Sequence, residues 1–140
     1  MCYLQREQQI QDSPVPVIIA GASLIAPGIV LTAAHWVVDL NKNELRVICG
    51  DWDIKQQIET RKFQKRNVRD KTIHPAFNPK NLFNDFAILH METDFELQPH
   101  VNVICLPTSQ DFEEFDKDHC VAKGWGKDQE GNFLFFQINK

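Results

Sequence analysis

Two side chains in this 140-residue sequence stand where proton chemistry could occur. The run Ile29-Val30-Leu31-Thr32-Ala33-Ala34 is apolar or small and stops abruptly at His35, with Trp36 directly after it. That places His35 at the edge of a packed core rather than in a solvated loop. A second stretch, Asn84-Asp85-Phe86-Ala87-Ile88-Leu89, puts one carboxylate at the mouth of another apolar run, where a charge is costly unless a cationic or proton-donating group meets it. An imidazole N–H is such a group. A carboxylate that accepts from one ring nitrogen fixes the tautomer and leaves the other nitrogen as a base, which is two thirds of a nucleophilic triad. The three serines do not supply the remaining third. Ser13, Ser23 and Ser109 lie in a hairpin, a strand start and a connection, outside any glycine-rich turn that would present a hydroxyl.

The elements that must position these groups read as strands. Residues 15–26 form an extended, β-branched run with Pro14 and Pro16 at its entrance, and the polar stretch 5–13 before it reads as a hairpin tip. Leu45-Arg46-Val47-Ile48-Cys49 alternates, and Gly50-Asp51-Trp52-Asp53 turns. Residues 63–73 make a long charged strand and residues 86–91 a short apolar one. Short strands separated by turn signals predict an all-β barrel or sandwich. The helical cue is confined to residues 33–40, a single turn after the histidine. Residues 110–117 are acidic with phenylalanines nearby and read as a surface connection; residues 133–138 read as a very apolar strand.

Four groups of residues, in this order and spacing, resemble the chymotrypsin-like serine peptidases. They are Ser23-Leu24-Ile25 through Leu31-Thr32-Ala33-Ala34-His35, Asn84-Asp85-Phe86-Ala87-Ile88-Leu89, Ile104-Cys105-Leu106-Pro107 and Gly124-Trp125-Gly126. Cys49-Gly50-Asp51-Trp52-Asp53, His74-Pro75-Ala76-Phe77-Asn78 and Gly126-Lys127-Asp128 are similar in particular to the insect clip-domain branch, which includes inactive serine protease homologues. The resemblance covers nearly the whole chain but not the family's second half, since no Gly-Asp-Ser-Gly-Gly follows Trp125. It implies a trypsin-like fold: a six-stranded antiparallel Greek-key barrel over residues 1–107 with its first strand truncated. Residues 108–140 are then the crossover and the first strands of an incomplete second barrel. Met1-Cys2-Tyr3-Leu4 looks like the interior of the first barrel strand, so the family's activation segment is expected upstream of it.

By the same resemblance, His35 and Asp85 are the histidine and aspartate of the triad, while the serine, the oxyanion hole and the specificity pocket belong to the unmatched half. The complete machinery would hydrolyse peptides through an acyl-enzyme. Asp85 would hold the Nδ1–H of His35, and His35 would take the serine proton. No cofactor is implied. Two function classes stay open. One is a fragment of a trypsin-like serine endopeptidase, inactive without its serine, whose partners are protein or peptide substrates. The other is a non-catalytic serine protease homologue, a cofactor or scaffold among the proteins of an extracellular immune or melanisation cascade.

The four cysteines show no zinc-knuckle spacing. In the resembled family a disulfide ties the histidine's loop to the preceding strand. Here those positions are Ala20 and Trp36, and the indole is expected to fill the space opposite the alanine. Cys105 and Cys120 match family cysteines whose partners lie in the light chain and the second barrel, outside these residues. Cys2 and Cys49 have no family counterpart. The family's first strand closes against its fourth, which makes Cys2 and Cys49 a candidate disulfide. A one-residue change of register would turn them to opposite faces, and a Cα separation beyond about 7 Å would exclude the bridge.

Composition sets the remaining bounds. With 43% hydrophobic and 24% charged residues the chain can bury one core. Fifteen basic against nineteen acidic side chains leave a charge of −4, too weak a field to single out nucleic acid or an anionic membrane as a partner. No apolar stretch reaches the length of a membrane span, and residues 1–10 lack the basic start and apolar block of a signal peptide. An extracellular location therefore rests on the resemblance. His74, His90, His100 and His119 form no metal-ligand pair, and no metal is expected. Asp51, Asp53 and Glu59 stand where some family members carry a calcium loop, but they supply too few oxygens for that ion's usual shell of about six to eight.

Overall fold

The structure, a computed structural model, describes residues 1–10, 13–51, 54, 61–108, 121–122 and 138–139. The chain divides into two compact units, Met1–Ile104 and Cys105–Lys140. In the first unit six strands, β1 (Cys2–Ile10), β2 (Ser13–Ala26), β3 (Ile29–Thr32), β4 (Leu45–Cys49), β5 (Gln64–Ile73) and β6 (Ala87–Met91), close into a barrel in the order β1-β2-β3-β6-β5-β4. Every pairing is antiparallel. The fold is thus the all-β barrel expected from the sequence. Among the described residues, the second unit contributes one short antiparallel pair, β7 (Val121–Ala122) with β8 (Ile138–Asn139). The expected connection at 110–117 and most of the apolar stretch 133–138 lie outside the described residues.

Inward-facing apolar side chains from all six strands fill the barrel. Leu4, Leu24, Val30, Leu45, Val47, Val68 and Leu89 are buried in one cluster with Ala34, Val37, Phe95 and Val101. Strand β5 buries Val68 alone, which is why it reads as charged along nearly its whole length. Register shifts between Leu4 and Gln5, Leu24 and Ala26, and Val68 and Asp70 bend the strands toward closure. Closure itself is made by β1 on β4. Its first rung sets Cys2 opposite Cys49 with their Cα atoms 4.2 Å apart, and a disulfide joins the two. Gly50 then turns the chain out of β4 with φ of 83°, a left-handed conformation that suits glycine. A Cβ there would lie 2.5 Å from Val101 Cγ2 and 2.8 Å from His100 Cδ2.

Two expectations are corrected, and one element was not foreseen. Residues 5–10 are not a hairpin tip: β1 runs to Ile10 and stays paired with β2 as far as Ile10 opposite Ser13. Backbone pairing continues because Gln8, Val15 and Val17 all face solvent there, so polar side chains cost the hairpin nothing. Phe63 and Phe86 fall just outside β5 and β6 and are exposed. A short 3₁₀ turn, Lys42–Glu44, went unread; the Asn41 side chain nucleates it by accepting from the Asn43 N–H at 3.0 Å.

Candidate active site

The register of β3 on β6 brings the two chemical residues to the same end of the barrel. Thr32 pairs with Ala87, so His35, three residues beyond Thr32, and Asp85, two before Ala87, leave the ladder side by side. Burial in β3 alternates. Val30 and Thr32 point inward while Leu31, apolar as it is, is only half-buried. The Thr32 hydroxyl is satisfied by donating to the Gly21 carbonyl oxygen at 3.0 Å, which pins β3 to β2 immediately before the histidine.

After Ala33 the chain winds into a single 3₁₀ turn, Ala34–Trp36, with no side-chain cap from its own flank. Its first N–H groups would be orphans. Asp85 meets them from the neighbouring strand end, its Oδ1 accepting the His35 backbone N–H at 2.8 Å while its Oδ2 lies 2.6 Å from His35 Nδ1. One carboxylate therefore caps the turn and orients the ring on that turn. Burial raises the Asp85 pKa, but the His35 backbone N–H, the His35 ring, its charge and the Ala34 backbone N–H outweigh it and hold the carboxyl below its ordinary value. In the neutral ring, an Nδ1–H donated to Asp85 leaves the lone pair on Nε2.

The approach to Asp85 is strained. Leu82 and Asn84 adopt φ of 57° and 55°. Asn84 tolerates this conformation better than most residues and secures it by donating Nδ2–H to the Ala76 carbonyl at 3.1 Å, while the Phe86 N–H closes a tight turn onto the Asn84 carbonyl at 2.8 Å. Asp85 is the middle residue of that turn.

The dyad is partly open to solvent, with the His35 side chain 36% and the Asp85 side chain 19% exposed. Trp36, expected to fill the space opposite Ala20, is partly exposed. Its indole is 46% exposed and leans on the His35 ring, with centroids 4.8 Å apart. Ser13 and Ser23 lie in β2, and among the described residues no hydroxyl hydrogen-bonds to the His35 ring. Ser109, Cys120, His119, Asp53 and Glu59 are outside the described residues. Cys105 is exposed and has no disulfide partner among the described residues. Asp51 accepts the Tyr3 hydroxyl at 2.6 Å, and among the described residues no three His, Cys, Asp or Glu groups gather as a metal site. His74 accepts from the Ala76 N–H, and His100 meets the Lys62 carbonyl. A concavity of about 420 Å³ lined by Lys62, Gln64, Arg66, Glu96 and His100 among others includes neither dyad residue.

Sequence reasoning missed the capping role of Asp85 and the turn around it, although Asn directly before Asp is a readable sign of a left-handed residue.

The family model described as Trypsin matches residues 4–139. Phenoloxidase-activating factor 2 of Galleria mellonella is 39% identical over 132 residues, covering 94% of this chain and 43% of that protein. Inactive serine protease scarface of Drosophila melanogaster is 31% identical over 79% of this chain and 16% of its own length. Inactive CLIP domain-containing serine protease A8 of Anopheles gambiae is 36% identical over 77% of this chain and 29% of its own length. The chain thus spans less than half of each of these relatives. By the match over nearly its whole length, the chain belongs to the trypsin family.

Proposed function

We propose that these residues are the general-base half of a trypsin-like serine endopeptidase domain, with residues 1–107 as the first barrel and 108–140 leading into the second. His35 is the base and Asp85 its orienting carboxylate. The observation that carries this reading is the double contact of Asp85 with the backbone and the ring of His35, at 2.8 and 2.6 Å. In the complete reaction a serine outside these residues would lose its proton to His35 Nε2 as its oxygen attacks the peptide carbonyl, and His35 would then protonate the leaving amine. Asp85 would stabilise the imidazolium formed between those steps. Protein or peptide chains are the substrates. An extracellular setting is supported by family and by the Cys2–Cys49 disulfide, since such bridges persist in oxidising compartments.

Without a nucleophile or oxyanion hole, the 140 residues alone are inactive in this reading. Incubation with a fluorophosphonate probe and with Arg- or Lys-terminated esters is expected to give neither labelling nor turnover. Stoichiometric labelling, or turnover abolished by His35→Ala, contradicts the reading. A second reading, a non-catalytic homologue acting as a cofactor or scaffold in an immune or melanisation cascade, is favoured by two relatives whose names call them inactive. Sequencing the transcript on both sides of these residues separates the two: a downstream Gly-Asp-Ser-Gly-Gly supports the enzyme, Gly-Asp-Gly-Gly supports the homologue, and a stop after Lys140 supports neither.

A further inference from the structure

The segment that follows the histidine turn folds around a cation supplied by the protein itself. Lys71 Nζ donates to three backbone carbonyls, those of Val37 at 2.6 Å, Val38 at 2.9 Å and Leu40 at 2.6 Å. Three carbonyls aimed at one point repel one another, and an ammonium with three N–H donors is the side chain that satisfies all of them. The same segment is wound onto the turn that carries His35: the Val37 and Val38 N–H groups both donate to the Ala34 carbonyl, at 3.0 and 2.9 Å. At its other end Lys71 is fixed in β5 opposite Leu89 of β6. That ladder runs up to the residue next to Asp85, since Ile73 pairs with Ala87 and the His74 N–H donates to the Phe86 carbonyl at 3.0 Å. Lys71 is therefore a strut between the turn that carries the base and the hairpin that carries its carboxylate.

We infer that Lys71 is a positioning residue for the His35–Asp85 pair, acting as an internal ammonium in a three-carbonyl cage. The inference rests on the proposed reading of that pair, but it concerns the hydrogen bond and not turnover. A guanidinium cannot replace the ammonium, because its five donors lie in one plane and diverge, whereas the carbonyls converge.

The test follows solvent exchange of the His35 Nδ1 proton by NMR in the 140-residue protein, with thermal unfolding in parallel. Lys71→Met and Lys71→Arg are both expected to speed that exchange about tenfold, the factor carried by a lost charge-assisted hydrogen bond. Lys42→Met, which removes a single bond to the Arg69 carbonyl, should leave it unchanged. In Lys71→Ala, ammonium or methylammonium chloride should restore slow exchange, and tetramethylammonium chloride at equal ionic strength should not. The inference is overturned by unchanged exchange in Lys71→Arg, by equal rescue from tetramethylammonium, or by a Lys71→Ala protein that fails to fold and is not recovered by ammonium. Absence of peptidase activity in any longer form bears on the proposed function and leaves this result intact.

Discussion

At the scale of single residues, Asp85 does two jobs with two oxygens, and the jobs respond differently to substitution. An asparagine can still accept the His35 backbone N–H, but it carries no charge and offers the ring a donor or a weaker acceptor. Because the Asp85 pKa is held below its ordinary value, its contribution to stability is complete above the usual carboxyl range near about pH 4 and drains away as pH falls through its own lower pKa. Urea unfolding between about pH 2 and 6 should therefore show an acid-side loss in the wild type that is shallower in Asp85→Asn. An identical slope in the two proteins would mean that the carboxylate gains nothing from His35. Leu82 offers the opposite case. A leucine at φ 57° is strained, and its side chain is half exposed, so little packing is lost on replacing it. Leu82→Asn should be stabilising by up to about 1 kcal/mol in thermal unfolding, with the dyad unaltered.

At the scale of elements, barrel closure depends on β1 meeting β4. Their first rung is the Cys2–Cys49 bridge, which joins residues 47 apart in sequence. Replacing both cysteines by alanine should cost about 3 to 4 kcal/mol, read as a shift in denaturant midpoint with little change in the far-UV spectrum of the folded state. Gly50→Ala, at the exit of β4, meets a left-handed backbone and two side chains closer than any Cβ tolerates, so a loss of at least about 2 kcal/mol is expected. The same elements show which parts of the fold could be read in advance. Strands β3, β4 and β6 were legible because burial on one face leaves an apolar signature, and His35 and Asp85 were legible because each interrupts such a run. The extent of β1 was not, since an exposed hairpin is held by backbone pairing that leaves no trace in side-chain polarity. The same holds for Asp85 as a cap and for Lys71: both act on backbone groups more than thirty residues away, and only the barrel's register brings them there.

At the scale of the molecule, the register of one barrel brings His35 and Asp85 into hydrogen-bonding contact. Ladder register sets where the two residues leave the sheet, and the strained turn around Asp85 and the capped turn at His35 fix their facing atoms. The most direct measurement is the tautomer of His35 in the 140-residue protein, read from long-range ¹H–¹⁵N correlations above about pH 8, where an ordinary imidazole is neutral. The expected spectrum shows a protonated Nδ1 and a bare Nε2, and it reverts toward a free-histidine mixture in Asp85→Ala. A proton on Nε2, or a mixture that Asp85→Ala does not change, would contradict the assembly of the pair by this barrel.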